Sequence, residues 1–157
     1  MRNGLLAATL LGATLLVQAA EPVIAVVVPA ARDARGLDSD AIAQVYKRKK
    51  LLWPDGTRMQ PVNLPADHPL RRRFTEALLR LPPQALEEYW NEQYYHGIRP
   101  PHVLASEAAV LRFVADTASA IGYLPYCSMD QRVRPILLID ADGRLLPPDT
   151  PVSCDGG

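Results

Sequence analysis

The sequence is poor in the side chains that most enzyme chemistry needs. Its 157 residues include only 3 histidines and 2 cysteines. The cysteines, Cys127 and Cys154, lack the C-x-x-C spacing of redox and metal pairs. His96 and His102 flank a Gly/Pro loop, outside the spacing of helical metal ligands. There is no G-x-S-x-G nucleophile elbow and no G-x-x-x-x-G-K-[ST] phosphate loop. Glu87 and Glu88 are neighbours in sequence, so on a helix their carboxylates point apart. These gaps predict a non-enzymatic protein without metal or cofactor. Net charge is missing too, with 17 Lys and Arg against 17 Asp and Glu. No overall field draws the chain to nucleic acid or an anionic membrane.

What is present begins with a leader. Arg2 precedes an apolar run, Gly4 to Val17, followed by small residues that offer cleavage near Ala19 or Ala20. This is the pattern of a secretory signal peptide over 1–20, and it is shorter than the ~20 apolar residues of a spanning helix. It predicts a periplasmic or secreted protein with no membrane span after cleavage. In that oxidising setting Cys127 and Cys154 pair by default, tying a tail (141–157) back to the body (21–140).

Along the body, Val23 to Val28 is a continuous apolar, β-branched run, the mark of a strand covered on both faces. Asp38 is a good N-cap for a helix whose apolar face is Ile42, Val45 and Tyr46, with Lys47 to Lys50 predicted in its last turn. Trp53-Pro54-Asp55-Gly56 reads as a turn, and Met59 to Leu64 as a strand with Pro61 limiting its pairing. Pro69 suits the first position of a helix capped by His68 or Asp67. Leu86, Tyr89, Trp90 and Tyr94 keep helical spacing and predict a helix packed on the sheet, leaving Tyr95 off that face. Ser106 caps a fourth helix with Val110, Phe113 and Val114 inward. Ala120 to Pro125 and Val133 to Ile139 are further strands; the tail has no packing period. The alternation predicts an α/β domain, a mostly parallel sheet of about four strands flanked by about four helices.

Three stretches, AIAQVYKRKKLLWPDG, PVNLPADHPLRRRF and SAIGYLP, taken in order over Val23 to Tyr126, carry a resemblance. They resemble the type 2 periplasmic binding protein fold, and within it the phosphate-binding proteins of ABC transporters. Those proteins are two-lobed, and the length here implies a single lobe. The resemblance implies a solute-binding module with its site at the start of the helix after the second strand. It points to Asn63, Asp67, His68, Arg71 and Arg72, with Tyr123 across the sheet edge. The family's Ser-Gly-Thr anion turn is replaced by Asp67-His68-Pro69-Leu70. Pro69 removes an N–H donor and Asp67 adds negative charge where a helix N-terminus would hold an anion. Weak binding of a small, phosphate-like anion is therefore the expectation. The alternative is a periplasmic interaction module that meets a protein partner with the face the missing lobe would cover. Either role involves no nucleic acid.

Overall fold

The computed structural model describes residues 20–154. The predicted leader lies outside the described residues except for Ala20. Among the described residues no helix is long and apolar enough to cross a membrane.

The apolar run near the start forms β1, Ile24–Pro29, with all six residues buried. It lies inside a sheet of six strands ordered β3-β2-β4-β1-β5-β6. The other strands are β2 (Gln60–Asn63), β3 (His102–Val103), β4 (Ala120–Pro125), β5 (Val133–Ile139) and β6 (Leu145–Leu146). Pairing of β2 with β3 and β4 is parallel, but β1 runs antiparallel to both β4 and β5, and β6 is antiparallel to β5. The sheet is thus mixed rather than mostly parallel, and has six strands rather than four. A continuous apolar run reports cover on both faces and says nothing of strand direction. The two additional strands are two residues each, too short to show alternation. One of them, β6, belongs to the stretch predicted as irregular tail.

Because Ile24 pairs with both Pro125 and Ile139 while Pro29 pairs with Val133, β4 and β5 run the same way. Residues 126–132 must then travel back along the length of β1. The disulfide Cys127–Cys154 anchors the tail to this return segment, with Cα atoms 5.5 Å apart. Pro61 pairs only with β4, and β3 begins one residue later, so its missing N–H faces no third strand.

Helix α1 spans Ser39–Tyr46, its N-cap Asp38 accepting from the Ala41 N–H. It ends earlier than predicted. Lys47 is the cap and Arg48 turns left-handed at φ 60°, so the basic run lies beyond the helix. Helix α2, Pro69–Phe74, passes directly into a π-helical turn, Thr75–Leu79. Helix α3 is Pro83–Tyr95 and α4 is Glu107–Asp116, capped by Ser106.

Strand alternation sends the two faces of β4 to different helices. Tyr123 stacks on Phe74 of α2 at 3.8 Å between ring centroids, and Tyr46 of α1 meets Phe74 edge-on at 4.7 Å. On the opposite face, a Cβ on Gly122 would lie 2.8 Å from Val110 and 2.9 Å from Val114, so α4 is seated where a side chain would stand. With both faces occupied, α3 finds no seat on the sheet. None of its residues is buried, against the sequence expectation, and Tyr94 and Tyr95 are 67% and 88% exposed.

The Trp53 turn is clamped from the β1 side. Arg32 lies over the Trp53 ring at 4.7 Å, donates to the Ala118 carbonyl at 2.7 Å, and donates to Asp55 at 2.6 Å. Asp55 also accepts from the Thr57 hydroxyl and N–H at 2.6 and 2.9 Å. Those Thr57 bonds first, then Arg32, hold the Asp55 carboxyl at about 2.

Two outcomes are expected. Gly122→Ala should cost about 1–3 kcal/mol in urea unfolding, the range for forcing an extra carbon into a packed contact; an unchanged midpoint would contradict the α4 seating. Asp55 should titrate by carboxyl NMR near 2, below its unfolded value of about 3.9. Its folded pKa is lowered, so the clamp's contribution is complete above about pH 4 and fades as pH falls towards 2.

Candidate ligand-binding site

The β2–α2 corner follows from a buried polar network. Asn63 ends β2 and is buried at 7% exposure among apolar neighbours. The Tyr123 hydroxyl donates to Asn63 Oδ1 at 3.1 Å and accepts from the Leu64 N–H at 3.2 Å. Arg71 reaches back from α2 to donate to the Leu64 carbonyl at 2.7 Å. The Asn63 carbonyl accepts from the Leu104 N–H at 2.8 Å, which ties in the approach to α4. Tyr46 donates to the Val62 carbonyl at 3.2 Å. Burial pushes both phenols above their ordinary range, only partly offset for Tyr123 by the Leu64 N–H. Both hydroxyls therefore stay protonated and serve as donors.

At the start of α2, His68 is the cap. Its Nδ1 accepts from the Leu70 N–H at 3.2 Å, and Pro69 follows as the first helical residue. With Nδ1 accepting, the ring proton sits on Nε2, which faces Glu107 Oε1 at 3.5 Å. Glu107 opens α4, so a carboxylate of the chain itself lies between the two helix starts. Asp67 is exposed and makes no side-chain hydrogen bond among the described residues.

Beyond this corner an open cavity of about 260 Å³ lies between α2 and α3. Arg71 and the exposed Arg72 stand on one side, Leu86 and Trp90 of α3 on the other, with Glu76 and Glu87 also on its lining. Of the residues proposed from sequence, Asn63, Tyr123 and Arg71 thus join one hydrogen-bonded unit. Arg71 and Arg72 share the cavity. His68 turns to Glu107, and Asp67 joins neither group. Glu107 and Trp90 carried no sequence signal for this place. Their contribution arises from how α4 and α3 meet the corner, which no local spacing encodes. Among the described residues no three of His, Cys, Asp and Glu come together as a metal set.

Solved structures share the fold. An ABC-type phosphate transport receptor from Vibrio cholerae superposes with a TM-score of 0.59 at 18% identity, covering 73% of this chain and 46% of that one. A protein described as a phosphate ABC transporter substrate-binding protein with bound phosphate, from Clostridium perfringens, gives 0.59 at 16%, covering 73% and 44%. The likeness is one of fold, over 73% of this chain. The chain spans less than half the length of either receptor. No protein-family model and no curated protein matches it.

Tyr123→Phe should lower stability by about 1–3 kcal/mol, because the buried Leu64 N–H and Asn63 Oδ1 both lose their partner. Urea denaturation measures it, and a loss below about 0.5 kcal/mol would show that the network does not hold the corner.

Proposed function

We propose that this chain is a non-enzymatic, exported solute-binding module of the phosphate-receptor type, which takes up a small anion weakly in the cavity between α2 and α3. The observation that carries the reading is the pair Arg71 and Arg72 on the rim of that cavity, just past the carboxyl end of β2. Ligands of α/β sheets gather at the carboxyl ends of parallel strands. The likeness in fold to two phosphate receptors supports the same reading.

Three features argue for low affinity. Arg71 already serves the Leu64 carbonyl. The Leu70 N–H already serves His68, and Pro69 has none. Glu76 and Glu87 place carboxylates on the same cavity lining. With an open cavity and about two charge-assisted hydrogen bonds of about 1.5–3 kcal/mol each, a dissociation constant near the millimolar range follows. A second reading, a partner-binding module in the periplasm, draws on the exposed Tyr94 and Tyr95 of α3, since tyrosines are favoured at interfaces.

Calorimetry with inorganic phosphate decides between them. The expected result is millimolar binding that Arg72→Gln weakens about 10-fold, the loss of one charged hydrogen bond. Submicromolar affinity would contradict the weak, open site; no heat at any concentration would leave the partner reading in its place.

A further inference from the structure

A second cavity lies on another part of the sheet. Because β3 pairs only with Val62 and Asn63, the first half of β2 has β4 on one side and no strand on the other. An open groove of about 550 Å³ occupies that gap. Its polar lining is Arg48, Arg58, Gln60 and His102, its apolar lining includes Pro101 and Phe113, and no acidic residue lines it.

Arg48 is the unusual member. Five arginines among the described residues are half-buried: Arg32, Arg48, Arg71, Arg73 and Arg134. Four of them donate to backbone carbonyls, of Ala118, Leu64, Pro22 and Arg32 respectively. The guanidinium of Arg48 has no hydrogen bond or ion pair among the described residues, and neither has that of Arg58. Burial and the charge of Arg58 both lower the Arg48 pKa, so the free protein holds two like charges close together, one of them partly desolvated. An arginine stays charged under these conditions.

The backbone adds to the cost. Arg48 stands at φ 60° just past α1, where the Lys49 and Lys50 N–H groups close back on the Gln44 carbonyl at 2.8 and 3.1 Å. Glycine is the residue that ends helices this way with least strain. An arginine here places an unpaired cation in the groove at the expense of local stability, and a bound anion would relieve both the repulsion and the desolvation.

We propose that this groove binds an organic dianion, a doubly charged head group between Arg48 and Arg58 with an apolar body against Phe113 and Pro101. A phosphate monoester and a dicarboxylate share that chemistry. The groove's volume is in the range of small-molecule sites, which runs from about 300 to 1,000 Å³. It shares no lining residue with the α2–α3 cavity.

The test is calorimetry on the purified protein with phenyl phosphate, phthalate and inorganic phosphate. Phenyl phosphate, phthalate or both should bind at least about 10-fold more tightly than inorganic phosphate, which lacks the apolar body. Which of the two binds identifies the head group. The double variant Arg48→Gln/Arg58→Gln should weaken that binding at least about 10-fold while Arg72→Gln leaves it unchanged. Arg48→Gly suits the left-handed backbone and keeps the fold if the glutamine variant does not; it should lose binding with an unchanged or raised melting temperature. Failure of both organic dianions to bind overturns the proposal. So does binding insensitive to Arg48 and Arg58, and so does binding that Arg72→Gln abolishes, which would assign the ligand to the α2–α3 cavity.

Discussion

Two adjacent residues of β4 make opposite demands, and the architecture depends on both being met. Gly122 must carry no side chain, or α4 cannot approach the sheet. Tyr123 must carry a long one, because its ring stacks on Phe74 and its hydroxyl closes the buried polar groups of Asn63 and Leu64. A buried N–H or amide oxygen without a partner is costly. The single phenol that satisfies both sets the geometry of the β2–α2 corner and the position from which Arg71 reaches the Leu64 carbonyl.

Much of this was legible in residue order, and the failures have physical reasons. The caps at Asp38, His68 and Ser106 are local hydrogen bonds, and a local rule finds them. The disulfide joins the 2 cysteines of the sequence, the single pairing open to them. That β1 runs against both β4 and β5 is a non-local pairing with no signature in the run Ile24 to Val28. The helical spacing of Leu86, Tyr89 and Trp90 is real, but whether a periodic face is buried depends on whether a sheet face is vacant. Here α1, α2 and α4 already occupy both. At the candidate site, Asn63, Arg71 and Tyr123 share one hydrogen-bonded unit, whereas the carboxylate of Glu107 that faces His68 comes from another helix start.

The arginines divide by what they do. Arg32, Arg73 and Arg134 bind backbone carbonyls of segments distant in sequence, Arg71 binds that of nearby Leu64, and all four act as internal ties. Arg35 and Arg132 pair with nearby aspartates at the surface, a kind of contact that contributes little to stability. Arg48, Arg58 and Arg72 belong to neither group, and each lines one of the two cavities described above.

The unburied state of α3 bears on motion. Its attachment to the neighbouring loop is the Tyr89 hydroxyl on the Lys47 carbonyl at 2.6 Å, with Lys49 over the Tyr89 ring at 6.0 Å. Elements with few buried contacts open at lower free energy than the global unfolding of the domain. Opening of α3 ahead of the sheet is therefore expected, and its amides should exchange with solvent ahead of those in β1 and β4. Trp90 would leave with it, turning the walled cavity beside Arg72 into an open shelf, so the shape of that cavity is coupled to the docking of α3.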